Sequence, residues 1–295
     1  MDITTIITQL TDENLLPPAI WKPKALTGGT MSKVFFLHHD NEADYILKFN
    51  QTNVTKSEAD FLSTYHGISI LPDLVAVDSS HRYMVYTYIP GSIVKSLDGG
   101  KKELLQTLVD DLINQYHPVS TFEGWGWQDS PASSWEQFLT KEVEAAQEFL
   151  VPFLKKEGLH ITAPWVIDQN RNSFQKKPYL IHGDCGFHNF IVHEKKLAGV
   201  IDPTPILGYP HYDLIYAFFS SPNDLMKDTL GSAFKGLSAE LPEEKQLYKE
   251  ILIGLYLRLA ICVKHHPEDF PVYLEAWNYW NRIADSRQFS NDSIV

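Results

Sequence analysis

Short apolar runs separated by turn residues fill the first ninety positions, and apolar residues at helical spacing fill most of the remaining chain. Residues 1–20 read as an amphipathic helix ending at Pro17-Pro18. Strands are predicted at 24–26, 34–37, 45–49, 74–77 and 83–89, and a helix at 56–66 that stops at Gly67. Pro90-Gly91 then breaks the pattern. This predicts an α+β chain, with a small lobe of five antiparallel strands and one helix over 1–89 and a larger, mainly helical lobe over 90–295. Helices are predicted at 101–116, 164–174, 224–235, 243–265 and 271–286. Another should run from a capping box at Ser133-Ser134-Trp135-Glu136 to about Lys156, kinked or ended early by Pro152. Between 122 and 131 lies a loop rich in tryptophan and glycine, whose rings read as core plugs more readily than as a substrate surface. The prolines and glycine of 203–213 predict an ordered loop without regular structure.

One stretch interrupts the helical half. Tyr179-Leu180-Ile181 is a buried strand, His182 to Asn189 a polar cluster, and Phe190-Ile191-Val192 and Leu197 to Ile201 the arms of a hairpin closed by Asp202. Asn189 follows Asp184 by five positions, the spacing at which a kinase catalytic loop carries its base and a magnesium ligand. Asp202 stands where a second metal-binding aspartate would follow. Asp213 opens the next apolar run, where an acid can cap a helix or bond back to the loop.

The first lobe supplies what such a loop would need. Lys48 lies mid-strand among apolar residues, a costly place for an unpaired ammonium. Glu58, in the first turn of the 56–66 helix, is placed to pair with it. Gly28-Gly29, with the Thr30 and Ser32 hydroxyls, forms a loop whose backbone can approach phosphate, although two glycines between strands are more often a plain hairpin. Tyr86, Thr87 and Tyr88 form the connector whose backbone groups would meet an adenine edge.

Composition narrows the partners. Hydrophobic content of 44% with 21% charged residues fits a folded soluble chain rather than a disordered one. A formal net charge of −12 disfavours nucleic acid, which wants a basic surface. Two cysteines, Cys185 and Cys262, read as free thiols in a reducing compartment, which predicts a cytoplasmic protein. The N-terminus lacks the marks of a signal peptide, and no apolar run reaches the roughly 20 residues of a membrane span. The longest, residues 251–263, contains Arg258 and reads as a buried helix.

The string IHGDCGFHNFIV, then GVIDP, then HYDLIYAF resembles the aminoglycoside phosphotransferases, within the wider group of protein-kinase-like small-molecule kinases that includes choline kinases. TGGTMSKVF, ILKF with Glu58, VYTYIPG and the GWGW segment extend the likeness over most of the chain. It implies a two-lobed, protein-kinase-like fold. It implies a magnesium-dependent transfer of the γ-phosphoryl group of ATP or GTP to a hydroxyl of an aminoglycoside-like or other small molecule. By position, Asp184 would be the base and Asn189 and Asp202 the metal ligands. Lys48, Glu58, Gly28, Gly29, Thr30, Ser32 and Tyr86 to Tyr88 would bind nucleotide, and His182 and Asp213 would brace the loop. Pro203-Thr204-Pro205 departs from many aminoglycoside enzymes, so both antibiotic resistance and metabolism are open as roles. A cationic acceptor would want acidic residues such as Glu268, Asp269, Asp224 or Asp129. Two alternatives stand beside this reading: a metal-dependent hydrolase using His182, Asp184, His188 and Asp202, and a nucleotide-binding module without catalysis.

Overall fold

The structure, a computed structural model, describes residues 2–26, 32–39, 43–94, 100–164, 177–286 and 294. In chain order its elements are α1 (Ile3–Asp12), β1 (Lys22–Leu26), β2 (Lys33–His38), β3 (Tyr45–Phe49), α2 (Thr52–Thr64), β4 (Leu74–Val77), β5 (Tyr83–Thr87) and β6 (Ser92–Ile93). The chain continues with α3 (Lys101–Asp111), β7 (Gly126–Trp127), α4 (Trp135–Glu157), β8 (Tyr179–Ile181), β9 (Phe190–His193), β10 (Lys196–Val200) and β11 (Ile206–Gly208). Four helices complete it: α5 (Pro210–Phe219), α6 (Lys227–Phe234), α7 (Glu244–His265) and α8 (Phe270–Ser286). Two compact units result: Met1–Ile93 with Asn189–Pro205, and Val94–His188 with Ile206–Val295. The first unit runs four residues past the sequence-based cut at 89/90 and takes in a later hairpin that a single cut does not express.

In the first unit an antiparallel sheet runs β1-β2-β3-β5-β4. Side chains alternate across a strand, so the two faces carry different residues. Leu37, Leu47, Tyr83 and Val85 pack on one face with Ile6 and Leu10 of α1. Ile46, Met84 and Tyr86 pack on the other with Ala59 of α2. The hairpin β9–β10 joins β6 in a separate three-stranded sheet. Helix α2 begins at Thr52, four residues before the predicted start, so Glu58 lies in its second turn rather than its first.

In the second unit α7 packs against α4, α5 and α8, and α3 against α6. Helix α5 is apolar on nearly all sides, with Leu214, Ile215, Ala217, Phe218 and Phe219 buried, as an internal helix must be. Two sequence expectations are corrected here. Residues 206–208 form a strand between β7 and β8, and Pro210 opens α5 rather than prolonging a loop, because proline suits the first helical position. The cap of α4 sits one residue later than predicted: the Ser134 hydroxyl accepts from the Gln137 N–H at 3.1 Å, and Gln137 Oε1 accepts from the Ser133 N–H at 2.7 Å. The helix runs through Pro152 to Glu157. Trp125 is buried against Tyr209 at 4.9 Å between ring centroids, a packing position. The predicted helix at 164–174 lies outside the described residues except at its first position.

Candidate active site

Strand alternation decides where Lys48 points. Register pairs Ile46 with Tyr86 and Lys48 with Met84. Lys48 therefore shares the face that α2 covers. Its Nζ donates to both oxygens of Glu58, at 2.8 and 2.7 Å, and to Asp202 Oδ1 at 3.0 Å. Lys48 and Glu58 are 4% and 1% exposed, whereas the Asp202 side chain is 41% exposed. Asp202 follows β10 with φ 58°, a left-handed conformation that aspartate tolerates better than most residues. The Ile201 N–H donates to the Asn189 carbonyl at 3.0 Å, so Asn189 and Asp202 occupy neighbouring ends of the β9–β10 hairpin.

The charges in this cluster do not balance one to one. Burial opposes the Lys48 charge, but Glu58 and Asp202 together outweigh it and raise its pKa. Burial pushes the Glu58 carboxyl up to about 7; Lys48 opposes that shift and Asp202 adds to it. One ammonium thus serves two carboxylates, of which only Asp202 reaches solvent. Asn189 and Asp202 offer an amide and a carboxylate, hard oxygen donors of the kind magnesium takes.

In the second unit the polar loop after β8 hangs from α5. Asp213 is fully buried and accepts from the His182 N–H at 2.8 Å, the Gly183 N–H at 2.9 Å and the Tyr116 hydroxyl at 2.9 Å. Gly183 has φ 78°, a left-handed turn that favours glycine. Asp213 lies in the first turn of α5 and spends its oxygens on the loop and Tyr116; the N-cap position is Tyr209. Burial pushes its carboxyl up to about 7 against those three donors. Ser220, at the end of α5, accepts from the Phe187 N–H at 2.9 Å. Between these anchors Asp184 accepts from the Tyr216 hydroxyl at 2.6 Å through Oδ1, and its Oδ2 lies 3.2 Å from His188 Nε2. Burial works to raise the Asp184 carboxyl, but His188 and Tyr216 outweigh it and hold it below the ordinary range. A Cβ at Gly186 would meet the His188 ring at 2.6 Å, so a side chain there would push that ring from its place beside Asp184. The Cys185 thiol is buried and raised well above its usual value, an unreactive packing residue.

Other sequence-predicted residues fall differently. Gly28, Gly29 and Thr30 lie outside the described residues; Ser32 is half-buried just before β2. Tyr86 is buried in β5, which is paired on both sides. The N–H groups of Thr87 and Tyr88 already donate to the Asp73 and Asp44 carbonyls, each at 3.0 Å. The connector's amides are therefore engaged within the unit. Among the described residues no group of three or more His, Cys, Asp or Glu is disposed to hold a metal ion. Tyr216 and Ser220 were missed from sequence. The available signal was spacing: Tyr216 follows Asp213 by three, so both lie on one face of α5.

The model of the phosphotransferase enzyme family matches residues 22–243, three quarters of the chain, and the chain belongs to that family. No curated protein matches the sequence. Among solved structures, the chain is similar to a thermostable mutant of the aminoglycoside phosphotransferase APH(4)-Ia in complex with AMP-PNP and hygromycin B. That match has 15% identity and a TM-score of 0.57, and covers 97% of this chain and 100% of that one. Choline kinase from Cryptosporidium parvum Iowa II matches with 11% identity and a TM-score of 0.59, covering 96% of each chain. Macrolide 2'-phosphotransferase MphH from Brachybacterium faecium matches with 13% identity and a TM-score of 0.56, covering 98% of each. At these identities the likeness establishes the kinase-like fold. No helix among the described residues is long and apolar enough to cross a membrane.

Proposed function

We propose that this phosphotransferase moves the γ-phosphoryl group of ATP to a hydroxyl of a small molecule, with Asp184 as the base. The observation that carries the reading is the hold on Asp184, whose two oxygens are fixed by Tyr216 and His188 on a loop that Asp213 anchors. A base aimed this tightly can orient one hydroxyl and accept its proton as the oxygen attacks phosphorus and the nucleoside diphosphate leaves. Lys48, steered by Glu58, would meet the nucleotide phosphates. Asn189 and Asp202 would hold magnesium, which when bound supplies positive charge to the phosphates. His182 acts through its backbone N–H, as one of the donors that Asp213 fixes.

GTP could replace ATP without changing any of these roles. The buried free thiols fit a cytoplasmic chain. An amino sugar would be the acceptor if family likeness alone decided, and a role in antibiotic resistance stands or falls with such an acceptor. The test is release of nucleoside diphosphate with Mg-ATP and Mg-GTP over a panel of small alcohols. One alcohol should turn over, and Asp184→Asn should lower kcat by about 10³-fold. Nucleotide binding without transfer to any alcohol would favour a non-catalytic module, and tightly held zinc in the purified protein would favour a hydrolase.

A further inference from the structure

Lys101 carries its charge where charge is costly. It opens α3, at the end of a helix whose dipole repels a cation, and it is 2% exposed. Among the described residues no carboxylate pairs with it. Its Nζ donates to two backbone carbonyls, of Ser221 at 3.1 Å and Asn223 at 2.6 Å, and lies 4.6 Å from the centre of the Phe218 ring. Burial pulls its pKa down to about 7; Asp224 opposes that shift and Arg258 adds to it.

The carbonyls it holds belong to a row. A helix ends with carbonyls that have no partner within the helix, and other elements must supply donors. After α5 that supply continues along the chain. Tyr273 Oη donates to the Phe219 carbonyl at 2.8 Å, Lys101 to those of Ser221 and Asn223, and Trp280 Nε1 to that of Leu225 at 3.0 Å. Each alternate carbonyl from 219 to 225 thus meets a buried donor, and the middle two share one side chain. Ser220 lies inside this row. Its Oγ donates to the Ala217 carbonyl at 2.8 Å and accepts from the Phe187 N–H at 2.9 Å. Phe187 follows Asp184 by three positions. The loop that carries the candidate base is therefore tied to α5 twice, by Asp213 at its start and by Ser220 beyond Asp184.

We propose that Lys101 is a positioning residue of the transfer reaction: by holding the Ser221 and Asn223 carbonyls it sets Ser220, and through Ser220 the loop that aims Asp184. Its effect on transfer rests on the kinase reading; the tether itself does not. A lysine suits the task because its three N–H groups can serve two carbonyls and a ring face together. Methionine, of similar length, would fill the space and hold neither carbonyl.

Amide hydrogen exchange followed by NMR tests the tether. In Lys101→Met the Phe187 amide should exchange about tenfold or more faster, while the α7 amides from Ile251 to Leu259 stay within about threefold of wild type. Ser220→Ala should release the same amide. The double variant should release it no further than the larger single effect, because both substitutions cut one connection. Unchanged Phe187 exchange in either single variant, a rise shared equally by α7, or effects that multiply in the double variant would overturn the proposal. Ser220→Ala leaves Lys101 in place, so it decides even if Lys101→Met folds poorly. Phosphoryl transfer from Mg-ATP to water and to the alcohol panel reads the consequence. Lys101→Met should lower kcat by about tenfold and leave Mg-ATP affinity within about twofold. An unchanged kcat, or a loss of affinity alone, would reduce Lys101 to a structural residue and overturn its role in transfer. If exchange responds as expected but the wild-type protein transfers phosphoryl to no acceptor, the kinase reading is wrong and the tether stands.

Discussion

Lys48 is buried and the Asp184 side chain is 32% exposed, and their surroundings also differ in kind. Lys48 meets two formal charges, Glu58 and Asp202, drawn from α2 and from the end of β10. Asp184 is held by a phenol and an imidazole, and the aspartate behind its loop is held by backbone amides and another phenol. The first arrangement carries more negative charge than its lysine neutralises, so Asp202 is available to an incoming cation. The second has oriented donors that fix direction without competing for a cation. A group that must exchange partners is built from ions, and a group that must stay aimed is built from hydrogen bonds.

Breaking the ionic cluster should have the largest effect. Lys48→Met leaves Glu58 buried without its cation and should destabilise the fold by about 3–5 kcal/mol in urea unfolding. Adding Glu58→Gln should recover part of that loss, because the stranded charge goes with it. A double variant no more stable than the single one would mean that the ions do not carry the cluster.

The pH dependence of stability sharpens the contrast. Glu58 and Asp213 are raised to about 7 in the folded chain from 4.5 and 3.8. The folded state keeps these protons where the unfolded state has lost them, so stability should fall as pH rises from about 5 to 7. Each group contributes about 1–3 kcal/mol to that fall. Asp184 and Glu250, held below their ordinary values, act oppositely and at lower pH, their contribution being lost on acidification through the folded pKa. Melting temperature measured across pH should show both limbs, and Asp213→Asn should flatten the fall between 5 and 7. An unchanged slope would assign the titration elsewhere.

The smallest effect belongs to one bond. Tyr216→Phe removes the 2.6 Å donor from Asp184. It should lower kcat by about tenfold, as loss of a charge-assisted hydrogen bond does, with little change in melting temperature. The acid limb of the pH–rate profile should move upward, because a donor that stabilised the carboxylate is gone. A loss confined to stability would make Tyr216 a packing residue only.

The range of each interaction decides how far the sequence alone reveals it. Lys48 stood out because an ammonium mid-strand among apolar residues needs an explanation, and Asp184 with Asn189 because their spacing lies within one loop. The five strands of the first sheet were visible from turn residues and apolar runs. The strand at 206–208 was hidden by flanking prolines, since its partners come from β7 and β8, far away in sequence. Tyr216 looked like one more apolar helix residue, and only the tertiary fold turns its hydroxyl to Asp184. Arg258 read as a residue of a buried helix; that its Nε lacks a hydrogen-bond partner appears only once its neighbours are known.

The central claim divides the labour, with nucleotide held through Lys48 and transfer carried by Asp184. Calorimetry of Mg-ATP on Lys48→Met and Asp184→Asn, with diphosphate release on the same samples, measures that division. The account predicts that Lys48→Met weakens nucleotide binding by about 100-fold, while Asp184→Asn binds as wild type does and has lost turnover. Full turnover in Asp184→Asn, or undiminished Mg-ATP affinity in Lys48→Met, would contradict it.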